Sequence, residues 1–202
     1  GYDLATARRS LNLMSLEWAN RGINLWLVEE GSVTLATGTA TYPLPSDTID
    51  LLEHTLRTNS GETNQTDTSL TRMSVSTYSQ ITNKLTSGTP TQIYIDRQRD
   101  APNVTLWPVP NSTLNGDFVR YFRLRRIQDV GSKSSNDADI PARFLPCMVA
   151  GLSYYLALKR PQAAQRVPTL KAIYEEQFDL AAEEDREKAN LVFTPLSGYY
   201  SL

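Results

Sequence analysis

Apolar positions recur at spacings of three and four over residues 2–20, where Leu4, Ala7, Leu11, Met14 and Trp18 share one stripe. That spacing predicts a helix, with Asp3 beside its positive end and Gly22 as its stop. From Asn24 the period changes. Residues 25–35 read as two strand-like runs around Gly31, and the segments 38–44 and 49–57 follow as strands, the first closed by Pro43 and Pro45. Sixteen threonines fall between Gly31 and Thr91, and a β-branched residue suits a pleated, half-exposed surface better than a helix. Residues 59–67 (NSGETNQTD) read as a polar loop, 70–75 as a short strand and 76–85 as a short helix. Strands are then expected over 91–97, 104–107 and 118–127, and a second polar linker over 130–139. The last third is helical again. Phe144, Met148, Leu152 and Tyr155 mark one helix, closed by Lys159, Arg160 and Pro161; Leu170, Ile173, Tyr174, Phe178 and Ala181 mark another over 168–188. Helix, block of strands, two helices: the fold class is α+β with segregated layers.

Composition narrows the chemistry. The chain has 202 residues, 20 Lys and Arg against 22 Asp and Glu, so no global charge drives it onto nucleic acid or an anionic membrane. One cysteine, Cys147, excludes an intramolecular disulfide and a cysteine-based zinc site; with His54 as the sole histidine and no calcium-loop spacing, no metal and no cofactor is expected. The longest uncharged apolar run, residues 144–158, is short of the roughly 20 residues a membrane span needs. The first residues lack an apolar signal core, so an intracellular, soluble product with no membrane partner is expected.

No catalytic constellation emerges. The neighbouring carboxylates Glu29–Glu30, Glu175–Glu176 and Glu183–Glu184 point apart on a strand or a helix, as solvated charges do. Residues 151–155 fail the GxSxG pattern, a Cys147–His54 pair would put the thiol on an apolar helix, and no phosphate-binding glycine motif is present. The chain is therefore read as no enzyme. Two stretches remain as contact candidates. RYFRLRRIQD, residues 120–129, interleaves Arg120, Arg123, Arg125 and Arg126 with aromatics, a pattern that fits a subunit or DNA contact. Strand geometry places Arg120 and Arg126 on one face and Arg123 and Arg125 on the other, which favours pairing with Asp and Glu over phosphate binding. The tail holds Phe193, Leu196, Tyr199, Tyr200 and Leu202, where a free tail would be polar; either it folds back on its own domain or it docks on a partner.

Six strings in order carry a resemblance: WANRGINLW (18–26), GTATYPLP (38–45), MSVSTYSQITNK (73–84), SGTPTQIYIDR (87–97), TLWPVP (105–110) and DIPARF (139–144). Together they resemble the head-to-tail adaptors of short-tailed phages, the tail tubular protein A-like connectors. The resemblance implies a helical bundle from N- and C-terminal helices (1–23 and 139–190) with an inserted antiparallel β domain (24–138) and a C-terminal docking arm (191–202). It implies a structural protein of the virion neck, assembled in the host cytoplasm. Its copies would form a homo-oligomer, a dodecameric ring beneath the portal protein. The ring would carry tail nozzle or tail fibre proteins and let double-stranded DNA pass without sequence-specific binding. The five tail residues would then be portal-binding. The competing reading is a carbohydrate-binding or adhesion module, which would stack sugars on Trp26 and Trp107. A third, a tail-borne cell-wall hydrolase, needs a carboxylate pair that spacing does not reveal.

Overall fold

The computed structural model describes residues 4–22, 25–114, 116–128 and 139–185. Helix α1 (Leu4–Asn20) ends where Gly22 takes a positive φ of 84° and donates its N–H to Ala19 O. A 3₁₀ turn (Leu25–Leu27) leads into β1 (Val28–Thr34), β2 (Thr41–Pro43), β3 (Thr48–Thr58), β4 (Thr66–Ser69) and β5 (Thr71–Met73). Then come α2 (Val75–Gln80), β6 (Ser87–Gly88), β7 (Gln92–Asp96), β8 (Asn103–Trp107), β9 (Val109–Pro110) and β10 (Phe118–Arg125). Helices α3 (Leu145–Ala157) and α4 (Val167–Glu184) close the described chain, each after a 3₁₀ turn. The fold is α+β, with terminal helices flanking a β region rich in antiparallel pairs.

The strands form two four-stranded sheets, ordered β1-β10-β3-β4 and β2-β8-β7-β5, and a small β6-β9 pair. The β5-β7 and β6-β9 contacts are parallel, the others antiparallel. The strings GTATYPLP, TLWPVP and SGTPTQIYIDR supply β2, β8 and β7, which are adjacent strands of one sheet. Leu51, Leu56, Val119 and Tyr121 from the first sheet meet Tyr42, Ile93, Ile95, Val104 and Leu106 from the second in one core. A second core, Met14, Trp18, Phe144, Cys147, Tyr174, Phe178 and Ala181, joins α1, α3 and α4.

Several local expectations are corrected. Residues 25–35 are not two strands: the first three form a 3₁₀ turn, and β1 runs straight through Gly31, because the Tyr121 ring of β10 lies across it. A Cβ on Gly31 would stand 2.6 Å from that ring. The polar loop is shorter than 59–67. Asn59 (φ 53°) and Gly61 (φ 80°) make the turn, and Asp67 already belongs to β4, where it pairs with Arg57. That strand is polar and exposed throughout, so alternation of hydrophobicity could not reveal it. Val75 opens α2 rather than ending a strand, because Ser74 caps the helix by accepting from Thr77 N. Helix α2 stops at Gln80, β10 at Arg125 rather than residue 127, and α4 begins at Val167 after the Pro161–Arg166 turn. The extension of α4 expected over 186–188 lies outside the described residues.

Strand β3 shows how side chains are aimed. Its buried positions, Thr48, Leu51, His54 and Leu56, step by three, three and two. The steps of three coincide with two bulges against β10, which leave Leu52 and Ile49 unpaired and turned outward. The bulges turn Leu51 inward between Thr48 and His54; His54 itself pairs in regular register with Tyr121, and neither of its ring nitrogens has a hydrogen-bond partner among the described residues. Burial, then the nearby Arg72 charge, lower its pKa. The neutral ring is therefore favoured in the fold. Below about pH 6.5 the unfolded chain takes up a proton that the folded chain refuses, so stability falls as pH drops. A denaturation series from pH 7.5 to 5 is expected to show this loss in the parent and not in His54→Leu. Equal slopes would remove the assignment.

Candidate interaction surfaces

The arginine run is held inside its own chain. Arg120 pairs with Glu30 on the neighbouring strand β1. Arg123 reaches Asp47 at 2.5 Å and Glu29, its direct cross-strand partner, at 2.7 Å. Arg125, only 8% exposed, contacts Glu29 at 2.5 Å and forks onto both oxygens of Asp139. Arg126 donates to Ser46 O at 3.0 Å. Arg120 with Glu30 and Arg123/Arg125 with Glu29 lie on separate faces, whereas Arg126, read from parity as sharing the face of Arg120, lies past the end of β10 and meets Ser46 instead. Hydrogen bonds from these guanidiniums hold the Glu29, Glu30, Asp47 and Asp139 carboxyls below their usual range.

Asp139 is the residue that sequence reading undervalued. It opens the DIPARF string, and it accepts from Arg125 and from Gln128 N at 3.0 Å. Its carbonyl accepts from Trp26 Nε1 at 3.1 Å, and the Trp26 ring lies 4.8 Å from that of Phe144. The end of β10, the turn after α1 and the entrance to α3 are thus locked at one point. The available signal was only an acid opening the DIPARF string, 14 residues after the arginine it pairs with.

The bundle is tied by a second polar cluster. Trp18 Nε1 donates to Tyr174 Oη at 2.9 Å; Tyr174 and Tyr155 both donate to Glu17, at 3.2 and 2.6 Å. Arg21 bridges Glu17 and Glu175 and lies 4.3 Å from the Phe178 ring centroid. Burial, with Glu17 as acceptor, pushes the Tyr155 hydroxyl up to about 12.

Outside these contacts, all three helices leave large aliphatic side chains uncovered: Leu13 (48% exposed) and Leu16 (59%) on α1, Leu145 (44%) and Val149 (61%) on α3, Ile173 (44%) and Leu180 (55%) on α4. Helix α3 has no charged residue. Its Leu145, Val149, Leu152 and Leu156 form a stripe at helical spacing, opposite the face where Cys147 and Gly151 are buried. Helix α3 is thus apolar on both faces, one buried in the bundle and one partly uncovered.

The chemical candidates do not come together. Cys147 is buried in the bundle, its thiol pushed up to about 12 by burial, while His54 lies in the β core. Glu29 and Glu30 point to different arginines, and Glu175 is bound to Arg21. Trp26, which a sugar platform would need at the surface, is packed on Phe144. Among the described residues no group of three or more His, Cys, Asp or Glu could hold a metal, and no helix is long and apolar enough to cross a membrane. Phe193, Leu196, Tyr199, Tyr200 and Leu202 lie outside the described residues.

A family model of the SU10 adaptor protein matches residues 2–197, nearly the whole chain. The chain belongs to the SU10 adaptor protein family. No curated protein matches it. As an SU10 adaptor it is a structural protein of a phage virion, from a family of adaptors rather than catalysts, and its partners are the portal and tail proteins between which an adaptor works. The uncovered bundle helices belong to an SU10 adaptor that must bind other chains, and within its arginine run Arg125 serves the internal lock at Asp139.

Proposed function

We propose that this adaptor forms a ring beneath the portal, extends the DNA channel and attaches the tail nozzle or tail fibre proteins. The ring is a homo-oligomer of twelve copies, of the tail tubular protein A-like kind, assembled in the host cytoplasm. The observation that carries this reading is the aliphatic surface left uncovered on all three bundle helices of a chain in the SU10 adaptor family. Interfaces combine such anchors with a polar rim, which the charged residues of α1 and α4 supply. The pairing of Arg120, Arg123 and Arg125 with carboxylates of the same chain supports free passage of double-stranded DNA, since neutralised arginines grip phosphate weakly. Class averages of the purified particle neck test the ring directly. Twelvefold symmetry at the portal is the expected result, and a single copy per particle overturns the reading.

In this reading residues 191–202 are a docking arm, with Phe193, Leu196, Tyr199, Tyr200 and Leu202 on the portal. Deleting residues 193–202 is expected to leave the circular dichroism spectrum and melting temperature unchanged and to lower portal binding at least tenfold, about 1.4 kcal/mol. A chain that unfolds on this deletion has a tail that is core instead.

A further inference from the structure

Two of the uncovered bundle faces complement each other. On α1, Arg9, Leu13 and Leu16 follow at i, i+4 and i+7, opposite the face of Met14 and Trp18 that enters the core. On α4, Ile173, Glu176, Leu180 and Glu183 follow at i, i+3, i+7 and i+10, turned away from Tyr174, Phe178 and Ala181. All seven side chains are exposed. Arg9, Glu176 and Glu183 form no ion pair among the described residues, in a chain whose other arginines are largely engaged. One face is basic and apolar, the other acidic and apolar.

We propose that the Arg9–Leu13–Leu16 face of one copy docks on the Ile173–Glu176–Leu180–Glu183 face of a second copy of this chain. The choice of a second copy rests on the ring reading above and on this charge complementarity. The contact joins two different surfaces, so it is heterologous: each copy uses its α1 face toward one neighbour and its α4 face toward the other, and copies add head to tail until the rotation closes. Within one copy the two faces cannot meet, because α3 packs against both helices and Trp18 and Tyr174 meet on their inner sides.

Size decides how strong this contact is. At about 1.5 Å per residue the 9–16 and 173–183 stretches run about 12 and 17 Å, and a stripe roughly 10 Å wide covers on the order of 150 Å² on each partner. A stable interface takes about 800 Å² per partner. The isolated chain is therefore monomeric at low concentration, and the contact forms when copies are concentrated or held side by side on a template.

The test uses the full chain with Leu16→Cys and Ile173→Cys together, treated at high concentration with a short flexible bis-maleimide. Cys147 is buried and serves as the internal unreactive control. A covalent ladder of dimers, trimers and larger species is expected from the double variant, and dimers at background level from either single variant. Adding Arg9→Glu should lower the ladder about five- to tenfold, and adding Glu176→Arg and Glu183→Arg to that chain should restore it. All substituted positions are exposed, and circular dichroism checks that each chain is folded. No ladder, efficient dimers from one single variant, or a ladder indifferent to charge reversal overturns the proposal. If the ladder fails while twelve copies sit at the portal, the ring reading stands and this interface falls. A ladder with a single copy in the particle upholds the interface and removes the ring.

Discussion

Gly151→Leu is expected to destabilise the bundle by about 3 kcal/mol or more, read as an earlier unfolding transition in the near-ultraviolet signal of Trp18 and in helical ellipticity. Gly151 of α3 faces both Met14 of α1 and Tyr174 of α4. A Cβ there would stand 2.5 Å from Met14 Sδ and 2.7 Å from Tyr174 Cε2. The methionine can move. The tyrosine ring cannot move freely, because its hydroxyl accepts from Trp18 Nε1 and donates to Glu17. Overpacking a filled core by a few carbons costs about 1–3 kcal/mol, and more where neighbours are pinned, against a total stability of about 5–15 kcal/mol. Gly151→Ala separates packing from propensity. Alanine is worth about 1 kcal/mol over glycine in a helix, so a net loss in this variant isolates the clash. Denaturant unfolding followed by tryptophan fluorescence gives the ordering: parent, then alanine, then leucine. An alanine variant more stable than the parent would show that the helices separate without cost.

The second large effect is expected at Asp139. Asp139→Ala leaves the Arg125 guanidinium, buried at the junction, with Glu29 as its one remaining carboxylate partner among the described residues. Removing one member of a buried pair costs about 3–5 kcal/mol; Glu29 retains part of the interaction, so a loss of about 3 kcal/mol is expected. The Arg125→Met, Asp139→Leu double variant is expected to recover most of it, because no charge is then left uncompensated. Single variants as unstable as each other, with a double variant no better, would show that the junction depends on packing and not on the pair. The same pair sets an acid limit. Arg125 lowers the Asp139 pKa in the fold, so its stabilisation is complete above the unfolded carboxyl value of about 4 and disappears as pH falls through the folded value. Glu29 and Asp47 add to the loss in the same window. The double variant should therefore lose less stability below pH 4 than the parent does. His54 acts earlier, beginning near pH 6.5, so the two contributions separate along the pH axis.

The arginine run shows how the meaning of a motif changes with its partners. RYFRLRR reads as a basic stretch with aromatic interleaving, a pattern also seen on surfaces that bind nucleic acid. In the fold, Tyr121 covers Gly31 in the β core while Arg123 and Arg125 continue the same inner face toward the bundle, met there by Glu29, Asp47 and Asp139. The inner face of that sheet passes from apolar to charged where it meets the helices. The partner carboxylates lie 76, 96 and 14 residues from the arginines they contact. Strand parity could separate the arginines into two faces; it could not name what each face would meet.

Local spacing and residue type determined α1, α3 and α4 and the strand-forming character of the middle of the chain. Each of these rests on apolar periodicity or on threonine, proline and glycine at fixed positions. Tertiary structure decided what local spacing does not contain. The polar strand β4 exists because β3 offers it a hydrogen-bonding edge, not because its own residues seek burial. Leu51 turns inward, together with Thr48 and His54, because two bulges shift the pleat by one residue each. Gly151 becomes hard to replace only where Met14 and Tyr174 face it from two other helices. Asp139 becomes the junction because Arg125 and Trp26 arrive beside it from distant parts of the chain. Uncovered faces likewise appear only after packing, since Leu13 and Ile173 carry the same apolar character as Met14 and Tyr174, and it is the arrangement of the helices that leaves the first pair outside.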